Sequence, residues 1–375
     1  MNPIQILTGC AILALPTASF GANLYLDYNG TAPGFGMNGT ANPKIVDPTA
    51  ATWNTDPSGG AGGTLTSASN GDVLKFGLEG TGGVRFDWIN YGGIEVGGIH
   101  TYRTTGSTAT INRMQKQGGG FLRLQFTDGG TIQTDDTGNS FWWDFGTAGN
   151  ISKTGSEWLA FGDGGPKIDG TLTITDGYVV VRQTGLVDAN SSFALNGNGL
   201  RFTGGMTGTA TVGTLSGTGT IVRDGTGGLG ALTIATAGFD LIDGAANGEL
   251  KFGWGASAAL NPSSTTMLEI LKTGGTTDAD QVLVDWSSKT LALDGTLEVT
   301  LVAGSTPLTE GDTFDLLSDN LTGNFSNVIL PALDGDLEWD TSDLTVNGTI
   351  MVIPEPSTTI LLSLLGLASL RVRRR

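Results

Sequence analysis

The sequence predicts an all-β protein, and three observations carry that expectation. Short runs rich in Thr, Val, Ile, Leu and Phe alternate apolar with polar residues, which is the period of a strand that buries one face. Gly, Asn and Asp separate these runs, and glycine reaches 61 residues of 375, more than twice the usual ~7% share, without a Gly-X-Y period. Between the two ends, no stretch shows the helical period over more than about ten residues. With 38% hydrophobic residues and 8 tryptophans, the chain is apolar enough to bury a core and is not wholly disordered.

Residues 1–22 carry an apolar run from Ile4 to Leu15, then Pro16 and the small residues Thr17-Ala18-Ser19. They resemble a secretory signal peptide cut after Gly21 or Ala22, although no Lys or Arg precedes the apolar run. Leu7-Thr8-Gly9-Cys10 also fits a lipobox, in which Cys10 would be lipidated, but the apolar run continues beyond the cysteine. Cys10 is the only cysteine, so no intramolecular disulfide forms and packing must supply the stability.

Residues 23–60 are rich in turn formers, with Leu24 to Asp27 as the first expected strand. From about 61 to 260 one theme recurs, a short strand closed by a Gly-containing turn. Examples are Asp72 to Gly77, Phe121 to Phe126, Gly170 to Ile174, Gly199 to Phe202, Gly213 to Ile221, Ala231 to Ile234 and Glu249 to Gly253. Such repetition predicts a parallel β-helix-like solenoid over residues 23–264, in which each coil buries its inward side chains against the next; a β-sandwich array is the alternative. The stretch Ile151-Ser152-Lys153-Thr154-Gly155-Ser156-Glu157-Trp158-Leu159, followed by Gly170 to Ile174 and Gly177 to Val181, resembles the autotransporter-associated β-strand repeat. In that family a Lys-Thr-Gly turn introduces a strand. Here Glu157-Trp158 replaces the usual Gly-Thr-Leu entry, and one good copy is present. The resemblance implies a surface-exposed β-helical passenger without catalytic activity.

From about 265 glycines thin out and longer strands are expected: Met267 to Lys272, Gln281 to Trp286, Thr290 to Leu293, Thr296 to Val302, Asp312 to Leu317 and Leu344 to Val352. The stretches Gly311 to Leu317, Phe325 to Pro331 and Leu337 to Leu344 resemble the closing unit of such repeat proteins, so residues 265–352 are expected to form a β cap module that shields the last coil.

Residues 353–375 hold three parts in order. Pro354-Glu355-Pro356 keeps the chain extended and ends the folded domain. Thr358 to Leu370 is almost wholly apolar but shorter than the ~20 residues that span a bilayer comfortably. Arg371, Arg373, Arg374 and Arg375 set the orientation, with the arginines on the cytoplasmic side. This order resembles the PEP-CTERM sorting signal of bacterial exported proteins, which implies recognition and cleavage by the membrane enzyme exosortase. Alanine at all three motif positions is expected to let the apolar helix reach back toward Val352.

The chain offers little for catalysis. His100 is the only histidine and, among glycines, is expected at the surface. Neither a zinc ligand set nor a nucleophile elbow nor a Walker-type loop is present. Asp135-Asp136 would serve a polysaccharide-cleaving site only from a loop, because adjacent strand residues face opposite ways. Asp163-Gly164-Gly165 and Asp169-Gly170 offer oxygens to Ca2+ but miss the repeat spacing of calcium-binding β-helices, so no metal or cofactor is expected. Phe141, Trp142, Trp143 and Phe145 form the densest aromatic patch, and Trp142 is the candidate sugar contact if one side is exposed. A net charge of −17 argues against nucleic acid as a partner.

The expectation is therefore an exported, non-enzymatic structural protein of the cell surface, extracellular matrix or biofilm. Its partners would be the secretion translocon, signal peptidase, exosortase and the membrane through the C-terminal helix before processing. A carbohydrate-binding surface protein that takes an extracellular polysaccharide is the alternative, and a polysaccharide-active β-helix enzyme the second alternative.

Overall fold

The computed structural model describes residues 21–30, 32–36, 44–60, 62–89, 95–117, 122–135, 141–143, 145–162, 168–203, 206–224, 232–253, 256–284, 288–318 and 320–355. Among these the protein is all-β, with one 3-10 turn at Thr184–Leu186 and no α-helix. Strands assemble into a large sheet, a second ten-stranded sheet and a small three-stranded one.

Most pairings in the two larger sheets are parallel, and in these parallel ladders a strand generally skips its neighbour in the chain; Trp53–Asn54 with Leu65–Thr66 and Ala256–Thr273 with Thr276–Ala279 are antiparallel neighbours. In the large sheet Ile151–Thr154 pairs with Gly170–Ile174, which pairs with Ser191–Ala194, then Gly208–Ser216, Leu232–Asp240 and Ala256–Thr273. In the second sheet Trp158–Phe161, Tyr178–Val181, Asn198–Thr203, Gly219–Asp224, Glu249–Gly253 and Gln281–Val284 follow the same rule. A parallel pair needs a crossover, and here the crossover is a strand of the other sheet rather than a helix. The step is short and regular: Ile151 aligns with Leu172 and Leu172 with Phe193, and the Thr171 amide reaches back 21 residues to the Asn150 side chain.

Alternation builds the interior. Gly170–Ile174 and Asn198–Thr203 bury every second residue, and Leu172, Ile174, Leu200 and Phe202 are fully buried. One apolar cluster runs from Leu24 to Ile350. At its N-terminal end Phe76 packs edge-on to Phe86 at 5.0 Å and to Trp53 at 5.8 Å.

Two segments rich in turn-forming residues are bends inside long strands. Ala256–Thr273 pairs Leu260 with Thr236 and Thr265 with Gly238, so Asn261-Pro262-Ser263-Ser264 bulges where the partner strand advances by two residues. Asp128 to Gly130 does the same between Phe126, aligned with Val96, and Thr131, aligned with Gly98. The strand Ala256–Thr273 thus runs across the expected module boundary at 264/265, and it pairs with Leu232–Asp240 on one side and with Leu291–Leu293 and Thr296–Leu301 on the other.

The small sheet is antiparallel, with Thr349–Pro354 between Thr313–Asp315 and Leu337–Asp340. The expected strand Leu344 to Val352 begins only at Thr349. Asn347 and Gly348 both donate their amides to the Asp343 carbonyl, which holds residues 343–348 in a turn. Phe314, Leu344, Ile350 and Val352 are buried, with the rings of Phe314 and Trp339 6.0 Å apart. This unit also covers the edge of Gln281–Val284. The Val282 amide donates to the Leu316 carbonyl at 3.0 Å, and the Gln281 side chain donates to the Asp315 carbonyl at 3.1 Å.

Carboxylates tie the loop at 241–248 to the strands Ala256–Thr273 and Thr276–Ala279 and the residue that follows them. Buried Glu269 accepts from the amides of Asp243 and Gly244, while fully buried Asp280 accepts from the amides of Gly248 at 2.7 Å and Glu269 at 2.8 Å. Burial pushes the Asp280 carboxyl up to about 6; the two amides oppose this, and Glu269 and Asp243 add to it. The folded value lies above the unfolded one near 4, so the folded chain holds an extra proton between the two. Asp280 therefore adds stability that is fully present below pH ~4 and is lost as pH rises through about 6. After allowance for solvent screening, a loss of about 1 to 2 kcal/mol is expected in urea unfolding between pH 4 and 7. That pH step should vanish in Asp280→Asn, and its persistence there would assign it to another group.

Candidate functional site

The C-terminal motif leaves the fold from the middle strand of the small sheet. Inward-facing Ile350 and Val352 are fully buried and anchor the strand, and Pro354 is its last residue, aligned with Leu337. The Glu355 amide donates to the Asp336 carbonyl at 2.8 Å, and Pro354 and Glu355 are both exposed. Pro356, Arg371, Arg373, Arg374 and Arg375 lie outside the described residues, as does the leader through Phe20. Among the described residues no helix is long and apolar enough to cross a membrane.

His100 is not the lone surface residue expected from its glycine-rich surroundings. It lies within the strand Glu95–Arg103, half-buried and aligned with Lys75 on one neighbour and Gln133 on the other. Its Nε2 is 3.0 Å from Oδ2 of Asp135, which also accepts from the Gln133 amide at 2.5 Å, and the Tyr102 ring lies 5.0 Å away. Burial lowers the His100 pKa; Asp135 opposes that shift, and the Lys75 charge adds to it. The imidazole is thus held neutral near pH 7 and oriented by the carboxylate, which is a positioned pair rather than a complete catalytic set. Asp136, the other half of the acid pair, lies outside the described residues, as do Asp163, Gly164 and Gly165 of the candidate calcium cluster. Asp169 sits in a bridge with Ala148. Among the described residues, no group of three His, Cys, Asp or Glu side chains converges as metal ligands.

Lys153, in the Lys-Thr-Gly turn, is fully buried. Its amine donates to the Gly155 carbonyl and, at 3.0 Å, to the Asp176 carbonyl just after the paired strand Gly170–Ile174. Gly155 and Gly177 take positive φ angles of 81° and 66°, and a Cβ on Gly177 would lie 2.7 Å from the Lys153 amine. Burial lowers the lysine pKa to about 8, against the pull of Asp176, Asp135 and Glu157.

The second sheet presents a different chemistry on its outer face. Trp158 aligns with Tyr178 and Tyr178 with Gly199, so on the next rung the position directly opposite Tyr178 carries no side chain and leaves room for a neighbouring one to reach the ring. The Trp158 and Tyr178 rings stack, 6.2 Å apart and 1° from parallel. The Arg201 guanidinium carbon lies 3.7 Å from the centre of the Tyr178 ring, and that of Arg182 lies 5.9 Å from the Trp158 ring. A cleft of about 390 Å³ bounded by Arg182, Gln183, Thr184, Thr203, Met206 and Thr207 adjoins one of about 110 Å³ bounded by Trp158, Tyr178, Val180, Arg182 and Thr203. Trp142, the sequence candidate for a sugar contact, aligns with Ala160 one rung away, and its side chain lies outside what is described. The signal that marks the Trp158–Tyr178 face in the sequence is the 20-residue step between two aromatic strand openings, followed at similar steps by Gly199 and Thr220.

Comparison with family models, with curated proteins and with solved structures finds no match for this chain.

Proposed function

We propose that the chain is an exported, non-enzymatic structural protein of the cell envelope, matrix or biofilm, built as a β-helical solenoid and processed by an exosortase at Pro354-Glu355-Pro356. The observation that carries this reading is the exit of the chain. Its last paired strand ends at an exposed Pro354 and Glu355, directly ahead of the apolar run and the arginines. A protease at a membrane face needs extended, accessible backbone of this kind.

The skip-one parallel ladders favour a solenoid over a sandwich, because sandwich strands pair mostly antiparallel. Each coil then contacts only its neighbours, and the small antiparallel sheet acts as the closing cap. The buried lysine of the Lys-Thr-Gly turn gives the resemblance to autotransporter-associated repeats a physical basis. Its amine bonds a carbonyl of the following coil, which is a coil-to-coil contact.

Export is tested by N-terminal sequencing of secreted material. The expected mature start is near Asn23, with residues 1–22 required for release. A chain that keeps its leader in the cytoplasm would overturn the proposal, and a lipidated Cys10 would replace signal-peptidase cleavage with a lipid anchor.

A further inference from the structure

We propose that the outer face around Trp158, Tyr178, Arg182 and Arg201 is a binding site for an acidic polysaccharide, with the arginines taking uronate carboxylates and the adjoining cleft taking sugar hydroxyls. The inference does not rest on the export reading and would hold for any form of the chain that contains this face.

The ring faces are not themselves the sugar platform. Trp158 and Tyr178 cover each other, and the Arg201 guanidinium lies against Tyr178. What the stack does is hold a guanidinium plane in place while its N–H donors remain in that plane, where a carboxylate can be met by two of them. Arg182 follows directly after the strand that carries Tyr178, and Arg201 aligns with Val180 of that strand, so both cations lie on one side of the sheet on adjacent rungs. Neighbouring strands are about 4.8 Å apart, close to the advance of a pyranose chain per residue, so a glycan laid across the strands meets one rung per sugar.

Two features favour a glycan over a peptide, and the guanidiniums favour an acidic one. The larger cleft is lined by Thr184, Thr203, Thr207 and Gln183, hydroxyl and amide groups suited to a polyol, with buried Met206 as the apolar floor. Each of the strands Trp158–Phe161, Tyr178–Val181 and Asn198–Thr203 is paired on both sides, so a peptide has no edge to join as an added strand. The chain as a whole carries −17, which repels polyanions, so the attraction for a uronate has to come locally from the two guanidiniums.

The test is titration calorimetry of the mature chain with a galacturonate tetramer, beside a glucose tetramer and a hexaglutamate peptide. Saturable binding of the uronate alone is expected, weakening as salt is raised. Arg201→Gln and Arg182→Gln should each weaken it about 10-fold or more, with circular dichroism unchanged. Lys75→Gln, which removes one positive charge from the other sheet, should leave it unaffected. Absence of uronate binding, equal binding of the neutral tetramer, tighter binding of the peptide, or equal losses in Lys75→Gln and Arg201→Gln would each overturn the proposal.

Discussion

Replacing Lys153 with alanine is expected to lower the stability of the β domain by about 2 to 4 kcal/mol, the range for losing a buried stem and leaving its hydrogen-bond partners unpaired. The side chain is fully buried, and its amine is the donor to two carbonyls, those of Gly155 and of Asp176 beyond the neighbouring strand. Alanine leaves both carbonyls unsatisfied, opens a cavity where the four-carbon stem lay, and breaks a contact between neighbouring rungs of the ladder. Lys153→Met keeps most of the volume and removes a buried charge, so it should lose about 1 to 2 kcal/mol less than alanine. The pH dependence separates the charge from the packing. With the folded pKa lowered to about 8, the folded chain sheds its proton before the unfolded chain does, near 10.5. The cost of the buried charge is fully present below pH 8 and is relieved as pH rises toward 10.5, so stability increases across that window in the native chain. The methionine variant should lack this rise. Urea unfolding at pH 7 and pH 10 reads both effects, and a loss below about 0.5 kcal/mol in Lys153→Ala, the range of an ordinary surface change, would mean that the amine does not hold the turn.

The individual strands were legible because alternation is a local property. Gly170–Ile174 and Glu249–Gly253 occur at the residues where apolar and polar positions alternate. Which strand pairs with which was not legible, since the inward face of Leu172 could be completed by any apolar strand; only the ladder shows that it aligns with Ile151 and Phe193. Bends were not legible for the same reason. Asn261-Pro262-Ser263-Ser264 has turn chemistry, yet the strand continues because Thr236 and Gly238 supply partners on either side of the bulge. Asn347 and Gly348 went the other way: the apolar pattern from Leu344 suggested strand, and the Asp343 carbonyl captures their amides into a turn.

The candidate sites follow the same division. His100 looked isolated because its neighbours Lys75, Gln133 and Asp135 lie on or beside the paired strands to either side, 25 to 35 residues away in the chain. Lys153 was visible as part of a motif, but nothing local indicated that a lysine beside two polar neighbours would be buried. The Trp158–Tyr178–Arg201 stack is a contact across three paired strands and appears in the sequence only when residues are read at the step of the ladder. At the C-terminal tripeptide the exposed exit at Pro354 and Glu355 agrees with the extended chain expected of proline, but its pairing with Leu337 and Asp336 was not legible locally.

In a host that carries an exosortase, the chain with Pro354, Glu355 and Pro356 all changed to alanine should remain full-length and membrane-bound, an all-or-none change in processing. The expectation that the apolar helix would then extend back to Val352 has to be shortened. Ile350 and Val352 are fully buried, and the strand is paired with Leu337–Asp340 as far as Pro354, so unwinding it would expose the core of the small sheet. A helix can therefore reach back only to about residue 355, where the Glu355 amide is bound to Asp336. Alanine still restores the backbone donor that proline lacks and favours helix at these positions. It also removes Glu355, the only charge between Asp343 and Arg371. The β domain should be unaffected, with unchanged circular dichroism and unfolding midpoint, so lost processing would report on the site and not on misfolding. Membrane fractionation and the mass of the released chain read the outcome. Release of the variant at the wild-type rate would show that the tripeptide is not the recognition element and that the tail is a simple anchor.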